Sequence, residues 1–316
     1  MVEKKMLGAS LYVPATHKDL QQIANGTLLG DVRSLIFCTE DAVADSELGY
    51  ALFNLSLALA QIPERPGMNR FVRVRSPAIL QRVLAMPGAQ KLSGFVLPKV
   101  TRHNFEDYFQ HIRNAHDKHY QLMPTLETAE VFDDGEMKRF RQCLEAPDVR
   151  EHILALRIGG NDLLALLGIR RPRHLTIYRT PLGAVISRLV TTFLPHGFAL
   201  SAPVFEHLDN PALLAQEIQE DLAHGLVGKT AIHPSQIAQI EQHYRVQRSD
   251  LEVARRIIDG ASPAVFKMHD SMCEVATHRA WAHSVLEQAR MFGMQHDHDH
   301  DHDHNPQTAN PDKAST

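Results

Sequence analysis

Short apolar, β-branched runs recur through this chain at regular intervals, each followed by a stretch long enough for a helix. The clearest are Ala9–Val13, Ser34–Phe37, Phe71–Val74, Gly94–Leu97, Gln121–Thr125, Ile153–Ile158, Gly197–Ala202 and Gly228–Ile232. Most are continuously apolar rather than alternating, which is the pattern of strands buried on both faces. Helical stretches at Glu47–Gln61, Pro77–Met86, Phe105–Lys118, Leu182–Phe193 and Pro211–Ala223 lie between them. Strand and helix in alternation require parallel strands joined by crossovers. Eight such units predict an α/β fold of the (β/α)8 TIM-barrel type. A doubly wound open sheet has the same periodicity, but the Gly-x-Gly-x-x-Gly fingerprint that would support it is missing.

Beyond Pro234 the pattern turns helical, over Ser235–Tyr244, Asp250–Ile258 and Met272–Phe292. The predicted organisation is a barrel over residues 1–245, a helical lid or oligomerisation segment over 246–294, and a disordered His-Asp tail over 295–316. The tail holds five of the chain's 20 histidines, alternating with aspartates from His296 to His304. Imidazole and carboxylate together suit loose binding of Zn²⁺, Ni²⁺ or Cu²⁺, although a tail without a core presets no geometry.

Several classes are excluded early. Lys and Arg number 33 against 37 Asp and Glu, so no basic face for nucleic acid is expected. The three cysteines Cys38, Cys143 and Cys273 form no C-x-x-C pair and no disulfide framework. No apolar run approaches ~18 residues, and the start of the chain lacks a signal-peptide core, so a cytoplasmic protein without a membrane span is expected.

Polar residues gather where the predicted strands end: Cys38-Thr39-Glu40-Asp41, Arg73-Val74-Arg75, Pro98-Lys99, Glu127-Thr128, Gly160-Asn161-Asp162 and Ile232-His233. In a barrel these ends share one face, where barrel enzymes place their chemistry. Glu127 and Asp162 fall on adjacent strands. Two carboxylates so placed repel, and a hard divalent cation such as Mg²⁺ relieves them. Arg73 offers a planar fork for a carboxylate or a developing enolate oxygen. Metal and guanidinium around an oxo acid suit carbon–carbon cleavage through an enolate. Glu40 and Asp41 are placed to orient Arg73 and the metal's waters. Lys99, Gly160 and Asn161 are candidates to touch substrate, and His233 to support the site.

The same residues carry a family resemblance. Leu11-Tyr12-Val13-Pro14-Ala15 resembles the first-strand (L)FVPG of citrate lyase beta-subunit-like proteins, in the HpcH/HpaI aldolase and malyl-CoA lyase superfamily. Cys38-Thr39-Glu40-Asp41-Ala42-Val43 resembles their DLEDAV, and Phe71-Val72-Arg73-Val74-Arg75 their VRIN. Val96 to Val100 matches VLPKV, Leu126-Glu127-Thr128 is similar to IET, and Gly160-Asn161-Asp162-Leu163 to G-x-(E/N)-D-L. Gly228 to Ile237 matches GKxAIHPxQI, and Phe266-Lys267-Met268-His269-Asp270 resembles GKMID. The resemblance implies a barrel with Mg²⁺ on Glu127 and Asp162 and substrate on Arg73. It further implies a homotrimer or hexamer in which a C-terminal carboxylate, Asp270 (with Glu274 competing), acts as general acid/base in a neighbour's site.

Cys38 stands where the family has Asp, no Arg precedes the first strand, and the final helix is unusual. These departures look like the divergent branch described as C–C bond lyases of the TIM-barrel fold, which accompany tellurium-resistance-type gene clusters. The expected activity is a Mg²⁺-dependent carbon–carbon lyase or aldolase acting on a β-hydroxy acid or its acyl (CoA) thioester. The alternative is a non-catalytic or metal-sequestering scaffold barrel whose tail binds transition metals.

Overall fold

The structure, a computed structural model, describes residues 6–30, 32–63, 67–115 and 119–295. The expected His-Asp tail therefore lies outside the described residues, apart from Gln295. The chain divides into two compact units, residues 1–244 and 245–316.

The first unit alternates strand and helix. Its strands are β1 (Gly8–Pro14), β2 (Ser34–Cys38), β3 (Asn69–Arg73), β4 (Gly94–Leu97), β5 (Gln121–Leu126), β6 (Leu156–Ile158), β7 (Leu200–Ser201) and β8 (Gly228–Ala231). All pair in parallel, in the order β7-β6-β5-β4-β3-β2-β1-β8. Ala202 N–H donates to Gly228 O at 2.7 Å and Val227 N–H to Leu200 O at 2.9 Å, which joins the two ends of that order into a ring. The fold is thus the (β/α)8 barrel expected from the alternation.

Helices α1 (Leu20–Ala24), α2 (Leu48–Ala60), α3 (Pro77–Leu84), α4 (Phe105–Arg113), α5 (Asp134–Leu144), α6 (Pro147–Arg150), α7 (Gly160–Leu166), α8 (Leu182–Phe193), α9 (Pro211–Ala223) and α10 (Ser235–His243) follow the strands. Helix α3 shows why its segment starts where it does. Ser76 accepts a hydrogen bond from Ile79 N–H, and Pro77 occupies the first turn, where its missing N–H costs nothing. The expected strands Ile153–Ile158 and Gly197–Ala202 shrink to three and two residues, and α4 ends at Arg113 rather than Lys118.

One packed layer closes the bottom of the barrel. It takes one residue from or beside every strand: Leu7, Ile36, Phe71, Val96, Met123, Ala155, Ala199 and Val227. Side chains alternate faces along a strand, so the residue two positions further on points inward again, one layer higher. On four strands that next position carries the pocket: Cys38, Arg73, Thr125 and Arg157 follow Ile36, Phe71, Met123 and Ala155, and all four line it. An apolar floor beneath these residues makes the ring a closed-bottomed cup.

The second unit contains α11 (Arg248–Ile258), the antiparallel hairpin β9 (Val265–Met268) and β10 (Ser271–Glu274), and α12 (Val275–Phe292). Leu251, Ala254 and Ile257 pack on Ala282 and Val285. The helix expected from Met272 begins at Val275, because the preceding residues form the hairpin's second strand. His269 and Asp270 make its tip with φ of 46° and 59°, the two left-handed residues that match a hairpin's twist. Among the described residues no helix is long and apolar enough to cross a membrane.

Candidate active site

Cys38, Arg73, Thr125, Arg157 and the strand ends above them enclose a pocket of about 270 Å³. Arg73, Asp41, Glu127, Gly160, Asn161 and Asp162 all line it, so residues separated by up to 121 positions in sequence share one space. Arg73 stands at its centre. Its Nη2 lies 2.8 Å from Glu40 Oε2, 3.0 Å from Asp41 Oδ2 and 3.1 Å from Glu127 Oε1. Its Nε is buried and has no hydrogen-bond partner, which leaves one N–H of the fork unspent.

Lys99 bridges the same acids from above, with Nζ 2.9 Å from Glu40 Oε1 and 3.3 Å from Asp41 Oδ1. The hydrogen bond to Glu40 and the two carboxylate charges hold its ammonium well above the ordinary lysine range. Lys99 is therefore fixed as a cation and does not serve as an amine nucleophile. Its backbone is left-handed, with φ of 51°, and this turns the Lys99 N–H onto Glu127 Oε1 at 2.8 Å. A non-glycine residue held there stores on the order of 1 kcal/mol of strain. Arg75, two residues beyond the end of β3, instead ties down the 39–45 loop through Asp45 and the carbonyls of Thr39, Glu40 and Val43.

Four carboxylates (Glu40, Asp41, Glu127, Asp162) thus meet three cations, Arg73, Lys99 and Arg157. The electrostatic consequence falls on Glu127, which is almost fully buried. Desolvation raises it, Arg73 pulls the other way, Asp162 adds repulsion, and the carboxyl ends at about 7. A hard dication is the group that such a donor set lacks, since it would neutralise the surplus and take the place of the proton. Glu127 and Asp162 supply the oxygen donors that Mg²⁺ prefers.

Gly159 makes room for Glu127. A Cβ at Gly159 would stand 2.4 Å from both Glu127 Cβ and Oε2, and one at Gly160 would stand 2.8 Å from Pro203 Cβ. Cys38 also borders the pocket, and burial pushes its thiol up, which suits a small packed side chain rather than a nucleophile.

Of the expected residues, Glu40 and Lys99 join the site's ion pairs without lining the pocket. Two others fall elsewhere. His233 is exposed and its Nδ1 pairs with Ser235 Oγ at 2.8 Å within its own turn; it does not line the pocket. Asp270 sits at the hairpin tip of the second unit, 94% exposed and 2.8 Å from Lys267 Nζ. Conversely, Arg157, Tyr12, Thr125 and Thr230 line the pocket without having been singled out. The available signal was Arg157 itself, a lone guanidinium in the apolar run Ile153–Ile158, two positions beyond Ala155.

The chain matches the family model described as C–C bond lyase of the TIM-barrel fold over residues 1–294. The protein belongs to that family. It is an enzyme of the carbon–carbon lyase class. Human mitochondrial citramalyl-CoA lyase is 26% identical over 279 residues, covering 84% of this chain and 77% of the relative. Among solved structures, the CitE protein of Mycobacterium tuberculosis with magnesium, acetoacetate and coenzyme A has a TM-score of 0.64 at 20% identity, covering 91% of this chain and 99% of that one. A citrate lyase from Burkholderia xenovorans has a TM-score of 0.72 at 17% identity, covering 93% and 94%. At these identities the two structures establish the fold.

For this lyase the Gly159 contact carries a direct prediction. Gly159→Ala should push the Glu127 carboxylate out of place and weaken Mg²⁺ binding at least tenfold in calorimetry, with helix content in circular dichroism retained. Unchanged Mg²⁺ affinity would show that Glu127 moves aside freely.

Proposed function

We propose that Glu127 and Asp162 hold Mg²⁺ and that the pocket breaks or forms a carbon–carbon bond in a β-hydroxy acid or its acyl thioester, through an enolate. The observation that carries this reading is the gathering of four carboxylates about the Arg73 pocket, with buried Glu127 driven up to about 7. Bound there, Mg²⁺ would act as a Lewis acid on the substrate oxygen that gains charge. Arg73, held rigid by three carboxylates, presents its guanidinium to the substrate. Lys99 holds Glu40 and Asp41 in place, which fixes Arg73 in turn. Gly160 and Asn161 border the space where the substrate lies.

In the cleavage direction a base takes the proton of the β-hydroxyl and the C–O bond becomes a carbonyl. The electrons of the broken carbon–carbon bond pass to the acyl α-carbon as an enolate, which a proton then quenches. In this reading Asp270, exposed on a two-residue hairpin tip, serves as that base in a second copy of the chain. A homotrimer or hexamer would bring it there. The citramalyl-CoA lyase relative and the similar structure holding coenzyme A support a thioester substrate.

The test is release of pyruvate or glyoxylate when the full chain is mixed with Mg²⁺ and citramalyl-CoA, malyl-CoA, or the free acids. Magnesium-dependent release is expected, lost in Asp270→Asn with Mg²⁺ binding intact. The reading fails if none is cleaved and no oxo acid binds at millimolar concentration with Mg²⁺ present.

A further inference from the structure

Among the described residues two buried cations, Arg70 and Arg157, have no carboxylate partner, and of the two only Arg157 lines the pocket. Arg73 meets three carboxylates, Arg171 and Lys229 share Glu217, and Arg70 is spent on the carbonyls of Ala24 and Met68. Arg157 is only 2% exposed, yet no carboxylate among the described residues pairs with it. Its Nη2 donates to Thr230 Oγ1, and its Nη1 reaches the weak acceptor Met123 Sδ at 3.7 Å. The guanidinium carbon lies 5.5 Å from the centre of the Tyr12 ring. Burying a charge without a counter-ion is costly, and such groups persist where something else supplies the charge.

The surroundings point to what that is. Thr125 sits opposite Arg157 in the β5–β6 register, and its Oγ1 is buried without a hydrogen-bond partner. Both side chains face the same pocket. Thr230 adds a second hydroxyl, already oriented by Arg157. An uncompensated guanidinium beside two hydroxyls matches one carboxylate group, with the fork taking its two oxygens. The position is specific too. Thr125 precedes Glu127 by two residues on the same face, so this layer lies roughly 6.6 Å below the Glu127 carboxylate along the strand direction.

We propose that Arg157, with Thr125 and Thr230, is an anionic subsite on the pocket floor that seats a carboxylate of the small-acid substrate, one layer beneath Glu127 and Asp162. This deepens the lyase reading and rests on it for the identity of the upper layer. The substrate enters carboxylate first, and its other end reaches the Glu127 layer. The class selected is a small acid with a second polar end, a dicarboxylate or an oxo acid of comparable length. A neutral group in place of the deep carboxylate would leave Arg157 buried and unpaired.

The experiment measures binding of malonate and of its monoamide, malonamate, to the full chain by calorimetry, with Mg²⁺ and with a chelator. Expected is at least tenfold tighter binding of malonate than malonamate by the wild type, a preference that disappears in Arg157→Gln and returns in part in Arg157→Lys. Thr125→Val, a near-isosteric change, should weaken malonate several-fold. Melting temperatures recorded on the same samples report folding. A counter-ion site leaves Arg157→Gln no less stable than wild type when empty, whereas a merely structural arginine makes it melt lower.

Malonate binding that is lost in Arg157→Gln but indifferent to Mg²⁺ would uphold the subsite and count against the metal reading. Magnesium-dependent binding with the same malonate-to-malonamate ratio in wild type and Arg157→Gln would overturn the subsite and leave the metal reading standing. Absence of malonate binding to the wild type at millimolar concentration would also overturn it.

Discussion

Glu127→Gln should lower turnover at least a thousandfold, as should Asp162→Asn, and at the same time make the metal-free protein more stable at pH 8. The first effect follows if these oxygens hold the ion that offsets developing charge, a contribution of about 4 kcal/mol or more to the transition state. The second follows from the empty pocket. Desolvation, opposed by Arg73 and reinforced by Asp162, puts the folded pKa of Glu127 at about 7, above its ordinary 4.5. Between those values the folded protein holds a proton that the unfolded chain has released. Stability therefore falls as pH rises through that window. At pH 8 the full penalty is present, on the order of 3 kcal/mol for such a shift. Glutamine cannot ionise and escapes it. Thermal melts with a chelator at pH 4.5 and pH 8 are the check: the two proteins should agree more closely at the lower pH and separate at the higher. Mg²⁺ should close the gap from the other side by stabilising only the wild type. A glutamine variant that melts lower at both values would make Glu127 a structural partner of Arg73.

Much of this was legible before any coordinates. The eight apolar runs fixed the number of strands, because only strands covered on both faces read as unbroken Val, Ile and Leu. Polar residues immediately after those runs had to share one rim, and the structure places Arg73, Glu127 and Asp162 around one pocket. What stayed hidden depended on register or on tertiary packing. Arg157 becomes an inward-facing residue only once Thr125 is known to be its neighbour across the strands. The β9–β10 hairpin was hidden by the helical spacing of Met272 with Val275 and Ala282. The turn at His269-Asp270 won, since both residues tolerate left-handed backbone. His233 looked poised at a strand end, but Ser235, two residues on, captures its imidazole.

Lys229→Met should cost about 3–5 kcal/mol of stability, the range for removing one partner from a fully buried ion cluster. Lys229 leaves β8 on the face opposite Thr230 and enters a sealed network against α9. Its Nζ lies 2.9 Å from Glu217 Oε1 and 2.7 Å from Asp221 Oδ2, and all three side chains are fully buried. Arg171 holds Glu217 through two bonds of 2.9 and 2.7 Å, and Tyr178 donates to Asp221 Oδ1 at 2.7 Å. Two cations and two carboxylates balance, so methionine would strand one negative charge where water does not reach. Desolvation alone would raise Glu217, but Lys229 and Arg171 outweigh it and hold its carboxyl below the ordinary range. Loss of Lys229 removes one of those two attractions. The expected readout is a drop in Tm on the order of 10 °C. Adding Asp221→Asn should restore a substantial part of it, because the stranded charge goes with the carboxylate. The network also ties down part of the pocket wall: Arg171 Nη2 donates to Val204 O at 2.7 Å, and Val204 and Thr230 both line the pocket. Well below its Tm, Lys229→Met should therefore bind Mg²⁺ normally but lose affinity for acids that reach the floor. A variant that melts within 1 °C of wild type would mean that the cluster rehydrates or reprotonates at little cost.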